Sequence, residues 1–146
     1  MKLHFSLLFF ALTLMLNAQT IDYNTKRGTA VGGYDVVAYF NGTPEKGSSE
    51  FVHKYDGITY KFSSQENLKT FIANPNTYLP QYGGYCAYAI AKKGKKVGID
   101  PKTFEIRNGK LYLFYNSWGN NTLENWLEEQ PKELIKRADI NWKNIN

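Results

Sequence analysis

Two pairs of apolar runs have the spacing of β-hairpins. Asp56-Gly57 separates the first pair and Asn108-Gly109 the second, and these dipeptides suit the two turn positions that require positive φ. In the first pair, Ile58, Tyr60 and Phe62 alternate with polar residues, which predicts a strand with one buried face. The runs predicted as strands are residues 51–55, 58–62, 103–107 and 110–115. The pattern therefore predicts two antiparallel hairpins.

A helical pattern follows the first hairpin. Ser63 and Glu66 have the spacing of a capping box, which indicates a helix start. Pro75 ends the helix, because the residue before a proline avoids helical geometry. We therefore expect a helix over about residues 64–74. The apolar positions expected on its buried face are Leu68, Phe71 and Ile72.

The rest of the chain completes a mixed α and β pattern. Residues 123–142 read as helical with an interruption at Pro131, whereas residues 34–40 fit a buried strand or a short helix equally well. No internal repeat or long linker is visible in the sequence. We therefore predict a small single α+β domain, with antiparallel hairpins and helices packed on the sheet. The helical tail carries the apolar stripe Leu134, Ile135 and Ala138.

The N-terminus has the pattern of a secretory signal peptide. Lys2 precedes an apolar run over residues 5–16, which is shorter than the roughly 20 residues of a membrane-spanning helix. We expect cleavage after Ala18, a loose lead-in over residues 19–30 and a domain over residues 31–146. The protein is then periplasmic or extracellular, without stable membrane insertion. The alternative is an uncleaved N-terminal anchor.

Composition narrows the possible partners only slightly. The net charge of +5 is mildly basic, and the aromatic content of 16% favours a packed core. The lysine run at residues 92–96 has no interleaved aromatic residues, so nothing in it predicts a nucleic-acid channel. We therefore expect no nucleic-acid partner.

Cys86 is the only cysteine of the chain, and it follows the segment Gly83-Gly84-Tyr85. A single cysteine forms no internal disulfide, so it is buried, reactive or paired with a partner. Glycines allow a sharp turn, and a helix starting near Tyr85 would place the thiol in a first turn where the dipole favours the thiolate. A buried structural cysteine remains the alternative.

Other candidate site residues surround this thiol or share its chemistry. His53 is the only other soft-metal ligand after the signal segment, although it lies in the middle of a predicted strand. A nucleophilic arrangement of Cys86 and His53 with Asp35 or Asp100 has no support from spacing. The candidates for lining a ligand pocket are Tyr82, Gly83, Gly84, Tyr85 and Tyr88.

Several segments carry a family resemblance. Residues 55–63 are similar to the hairpin and helix start of the YHS domain family, and residues 71–79 to the end of that helix. Residues 34–40 and 80–88 resemble the exported bacterial YHS domain-containing subgroup, some members of which are classed as selenoproteins. The resemblance covers nearly all of the chain after the signal segment. It implies a metal-associated module or, through the selenoproteins, redox chemistry near Cys86.

One departure from the family pattern bears on metal binding. YHS domains attached to heavy-metal pumps carry cysteines at the positions of Ser63 and Asn67, and a further cysteine near their start that has no counterpart at residues 34–39. The resemblance therefore implies a binding module for copper or zinc with few ligands, built on Cys86 and completed by a partner ligand or by a homodimer. The alternative is a thiol-redox protein in which an external thiol resolves the oxidised Cys86.

Overall fold

The computed structural model describes residues 21–146, and strands and helices alternate along this part of the chain. The strands are β1 (Thr25–Lys26), β2 (Thr29–Ala30), β3 (Ser48–Tyr55), β4 (Ile58–Phe62), β5 (Asp100–Arg107), β6 (Lys110–Phe114), β7 (Asn116–Ser117) and β8 (Asn120–Asn121). The helices are α1 (Gln65–Ala73), α2 (Pro75–Tyr78), α3 (Ala87–Lys93), α4 (Thr122–Glu128) and α5 (Pro131–Ile145). The predicted α+β class is confirmed. None of these helices is both long enough and apolar enough to span a bilayer.

Both predicted hairpins form at the predicted turns. β3 pairs with β4 across Asp56-Gly57, and β5 pairs with β6 across Asn108-Gly109, with positive φ at all four turn residues. The first hairpin belongs to a four-stranded sheet of order β1-β2-β4-β3, in which β2 and β4 are parallel. The second hairpin and the short pair β7–β8 form separate two-stranded sheets.

Helix α1 starts one residue later than the capping box predicted. Its N-cap is Ser64, whose hydroxyl accepts the backbone N–H of Asn67 at 3.1 Å, whereas Ser63 bonds elsewhere. Phe71 is fully buried, but Ile72 is 50% exposed, so the prediction that Ile72 belongs to the buried face is wrong. Successive helix residues lie about 100° apart, so Ile72 lies beside the buried stripe that contains Phe71 and not within it.

Two hydrophobic clusters fill the interior, and strand β6 contributes to both. Leu111 and Leu113 pack in the cluster around Phe71, while Tyr112 and Phe114 pack in the cluster around Trp126. The side chains of successive strand residues point to opposite faces, so the predicted division of this strand into two faces is correct. The helical tail is likewise interrupted at Pro131, and its predicted apolar stripe packs in the second cluster.

The segment before the first hairpin is more ordered than a loose lead-in. Strands β1 and β2 join the sheet, and the side chain of Asn24 donates to the carbonyl of Gly84 at 3.0 Å. The predicted signal peptide lies outside the described residues.

The two hairpins share one register. Adding 52 to each residue number of the β3–β4 register reproduces the β5–β6 register, including the register shift early in the first strand. The first strand of each hairpin has 8 residues and the second has 5. This correspondence was not visible in the sequence, because few residue types agree between the hairpins.

Candidate functional site

A left-handed turn delivers the chain to Cys86. Tyr82, Gly83 and Gly84 have φ of 54°, 60° and 82°. A Cβ on Gly83 would lie 2.9 Å from the carbonyl oxygen of Asp22 and 3.1 Å from the ring of Trp142, so only glycine fits there. Tyr82 tolerates this unfavourable φ because its buried ring is held by a hydroxyl that donates to Asp139 at 2.9 Å.

Cys86 forms the N-cap of α3 and is fully buried. Its backbone N–H donates to the carbonyl of Val97 at 2.9 Å, and its carbonyl accepts the N–H of Ile90 at 3.1 Å. It also bridges to Leu113 on β6. The predicted helix start near Tyr85 is therefore correct to about one residue, and the thiol is fixed between the helix and the second hairpin.

Among residues 21–146 the thiol has one polar partner. Thr122 Oγ1 lies 3.3 Å from Cys86 Sγ, and the same hydroxyl donates to the carbonyl of Tyr115 at 2.8 Å. A hydroxyl has a single hydrogen, so the thiol is the donor to Oγ1 in this arrangement. Deprotonation of the thiol removes that hydrogen bond unless the hydroxyl of Thr122 rotates towards the sulfur.

A cavity of about 300 Å³ lies against Cys86. Its lining includes Tyr115, Asn120 and Thr122 from the segment after β6, and Tyr88, Lys92 and Lys93 from α3. The pocket is therefore small, with a thiol at its wall and two cationic side chains close by.

Glu129, at the end of α4, binds two of the pocket residues of α3. It accepts the hydroxyl of Tyr88 at 2.6 Å and the amino group of Lys92 at 2.5 Å. Partial burial, and then the hydrogen bond to this carboxylate, raise the pKa of Tyr88 to about 12. Tyr88 therefore stays neutral and keeps its donor at physiological pH.

A second polar centre lies around Asp35, which sequence reasoning considered only as a partner of a catalytic histidine. This fully buried carboxylate accepts the backbone N–H groups of Val37 at 2.8 Å and Ala38 at 3.3 Å. It also accepts the N–H and hydroxyl of Ser63 and the amide of Asn67, each at 2.8 Å. No sequence signal marked Asp35, because its partners lie in distant segments.

The Asp35 centre includes Ser63 and Asn67, the two residues that stand where pump-associated YHS domains carry cysteines. Ser63 and Asn67, at the two cysteine positions, converge on one carboxylate oxygen of Asp35. Each side chain is already hydrogen bonded, and no buried side-chain nitrogen or oxygen among residues 21–146 lacks a partner. The centre is therefore a closed hydrogen-bond network of structural character.

The predicted ligands Cys86 and His53 lie in different parts of the fold, one at the start of α3 and the other on β3. His53 is on β3, where its ring packs edge-on against Phe71 at 6.2 Å, while Cys86 adjoins β6. Within residues 21–146 no three or more histidine, cysteine, aspartate or glutamate side chains cluster closely enough to hold a metal ion. Asp100, the other proposed orienting group, bonds to Thr103 instead.

The predicted pocket tyrosines divide between two places. Tyr88 borders the Cys86 cavity, whereas Tyr82 and Gly83 border a second cavity of about 330 Å³ with Asp139 and Trp142. Tyr85 packs against Trp142, and the carbonyl of Gly84 accepts from the lead-in segment. The loop of residues 82–85 therefore lines a different cavity from Cys86, and of the predicted pocket residues only Tyr88 lies beside the thiol.

Comparisons of the chain with protein-family models, with curated proteins and with solved structures give no match.

Proposed function

We propose that this protein is an exported, YHS-like binding module that holds a small thiol-bearing molecule through Cys86. The supporting observation is the cavity of about 300 Å³ against the only cysteine. A thiol forms a reversible covalent bond with another thiol, and such a bond requires room for the incoming molecule beside the sulfur.

The chemistry is thiol–disulfide exchange. The Cys86 thiolate attacks one sulfur of a small disulfide, a new sulfur–sulfur bond forms, and the other half leaves as a thiolate that takes up the proton released by Cys86. A second small thiol then attacks the mixed disulfide, which regenerates the Cys86 thiol and a small disulfide. External thiols complete the cycle, since the chain has one cysteine.

The walls of the pocket select the incoming molecule. Lys93 favours a disulfide that carries a carboxylate, because an opposite charge stabilises such a group near the thiol, whereas the charge of Lys92 is already paired with Glu129. The thiol itself has no exposed surface, so bulky reagents are excluded and small ones enter only as the pocket residues move.

Mixed-disulfide formation tests this proposal. The folded protein is incubated with cystine, and intact mass and peptide mapping report adducts. We expect one adduct per chain at Cys86, faster formation than with a bulky aromatic disulfide, and release by added cysteine. Cys86→Ser is the matched control and should form no adduct. Modification only at the rate of global unfolding would overturn the proposal and leave Cys86 as a structural residue.

Binding of a thiophilic metal is the second candidate, favoured by a soft sulfur donor beside an open cavity and by the family resemblance. Cys86 and Thr122 supply one thiol and one hydroxyl, too few donors for copper or zinc. The remaining donors must then come from a small thiol in the pocket.

Metal titration separates the second candidate from the first. Wild type and Cys86→Ala are titrated with Cu(I) and Zn(II), with and without added cysteine. The metal candidate requires tighter binding by the wild type in the presence of cysteine. Equal binding by both proteins under both conditions would eliminate it.

Export is part of the proposal because exchange with external disulfides requires an oxidising compartment. N-terminal sequencing of the protein from the periplasm or medium should give a chain that starts near Gln19. Recovery of a chain starting at Met1 in the membrane fraction would contradict export.

A further inference from the structure

The correspondence between the two hairpins extends to the turns that precede them. Val31, Gly32 and Gly33 have φ of 49°, 60° and 85°, nearly the values of the turn that leads to Cys86. In both turns a tyrosine follows, Tyr34 or Tyr85, and its N–H donates at 3.1 Å to the carbonyl three residues earlier. A β-branched residue with positive φ is rare, so this agreement has little chance of being accidental.

The residue after each tyrosine plays the same structural role. Asp35 and Cys86 are both fully buried, and both precede a helical turn that ends at a left-handed glycine. Their N–H groups donate to the segment before the following hairpin, at 2.8 Å to Glu45 and 2.9 Å to Val97. The match therefore places Cys86 in the position of Asp35.

The elements around the hairpins also correspond. The parallel bridge of Thr29 to Thr59 on β4 has its counterpart in that of Pro80 to Leu111 on β6. Each hairpin leads to a capped helix with a fully buried aromatic side chain, and a proline starts the next helix. The caps are Ser64 and Asn121, and the aromatic residues are Phe71 and Trp126.

The two units differ in the lengths of their helical segments and in one inserted segment. Between the last residue of the hairpin and the helix cap, the first unit has only Ser63, whereas the second has residues 115–120, which form most of the β7–β8 hairpin. Asn120 and Tyr115 of this segment border the Cys86 cavity. The other wall of this cavity differs as well, because the carboxylate of Asp35 in the first unit is replaced by the thiol of Cys86 in the second. Cys86 makes no side-chain cap bond to α3.

We infer that the chain is a tandem duplication of one turn–hairpin–helix unit, in which Cys86 is the counterpart of Asp35. The first copy closes its centre with hydrogen bonds from Ser63 and Asn67. The second copy lacks the carboxylate and these partners, and an added hairpin borders the space left beside Cys86. Entry of a ligand into this space rests on the proposed function, whereas the duplication does not.

Exchange of the two equivalent residues tests the inference. In Cys86→Asp the new carboxylate should accept the N–H groups of Tyr88 and Ala89, as Asp35 accepts those of Val37 and Ala38, and the Thr122 hydroxyl lies within reach of its other oxygen. Thermal unfolding should stay within about 5 °C of the wild type, because the carboxylate caps a helix.

Ala87→Asp is the matched control. Ala87 is equally buried and lies one residue further into the same helix, so the dipole favours an acid there as well. It corresponds to the apolar Val36, and a carboxylate there should lower the melting temperature by about 10 °C or more. Equal damage by the two substitutions would overturn the equivalence of Cys86 and Asp35.

Removal of the β7–β8 hairpin tests whether this hairpin is an addition that borders the pocket. Residues 115–120 are replaced by a single serine, as in the first copy, and folding is followed by circular dichroism. We expect a folded protein in which a small thiol-modifying reagent reacts with Cys86 faster, since two of the residues that line the pocket, Tyr115 and Asn120, have been removed. A chain that fails to fold, or unchanged modification of Cys86, would show that the hairpin is not an addition bordering the pocket. None of the three variants is assayed for disulfide binding, so failure of the proposed function is a separate result.

Discussion

Trp118 is the residue whose placement agrees least with its chemistry. It is 96% exposed, and it lies at φ 54° in the Trp118-Gly119 turn of the β7–β8 hairpin. The equivalent turn residues elsewhere in the described chain are polar, namely Arg27, Asp56 and Asn108. A bulky residue in this conformation is strained, and full exposure gives it no packing in return.

Replacement of Trp118 by Asn should therefore raise the free energy of unfolding by up to about 1 kcal/mol, because asparagine tolerates the left-handed conformation. Asn108→Trp, the reverse change in the other hairpin, should lower it. Urea unfolding measures both. A loss of stability in Trp118→Asn would mean that the indole makes a stabilising contact.

Asp35 should be the most sensitive polar residue of the described chain. The carboxylate of Asp35 accepts five hydrogen bonds, whereas the NH₂ group of an asparagine accepts none. Replacement by Asn therefore leaves buried donors without an acceptor, and we expect the free energy of unfolding to fall by about 3 kcal/mol or more. Asp139→Asn is the control, because this exposed carboxylate accepts one bond from Tyr82, and its effect should stay below about 1 kcal/mol. Equal losses would indicate that the Asp35 network contributes little.

At the scale of the elements, α1 shows how far sequence patterns reach. Its existence and the burial of Phe71 followed from local spacing, whereas the cap position and the exposure of Ile72 did not. Ser63 fits the capping pattern, but Asp35 recruits it from 28 residues away. The site has the same limitation: the sequence indicated Cys86 and its turn, but Thr122 and the cavity depend on contacts between distant segments.

Phe71→Ala should lower the free energy of unfolding by about 3–5 kcal/mol, since the ring is fully buried against Tyr60 and Phe62. The matched control is Ile72→Ala on the same helix, which should cost less than about 1 kcal/mol because half of that side chain is already in solvent. Similar losses in chemical denaturation would contradict the orientation of α1.

At the scale of the whole molecule, tyrosines distributed through both clusters share a response to alkali. Burial is the first cause in every case, and it raises the pKa of Tyr23 and Tyr88 to about 12 from the ordinary 10.0. It also raises the pKa of Tyr39, Tyr60, Tyr82, Tyr85 and Tyr112.

These shifts predict a loss of stability above pH 10. Below that pH both states hold the phenolic protons, whereas above it the unfolded chain loses them first, so unfolding becomes more favourable as the pH rises towards about 12. Tyrosinate absorbance should therefore rise together with the loss of circular dichroism. The denatured protein, as control, should titrate near pH 10. Tyrosinate formation near pH 10 in a protein that remains folded would contradict the burial of these rings.

The two buried faces of strand β6 bear on how this molecule arose by duplication. One of its faces packs in the cluster of the first hairpin and the other in the cluster of the second, so neither hairpin has a complete interior without it. The shared register equates Leu111 and Leu113 with the polar Thr59 and Lys61 on β4, so an ancestral unit with the polar pair could stand alone in water. The apolar pair on β6 is stable only when the first copy covers it, since exposed apolar surface costs about 25 cal/mol per Å². Fusion into one chain would have permitted that exchange and freed one of two once identical centres to change.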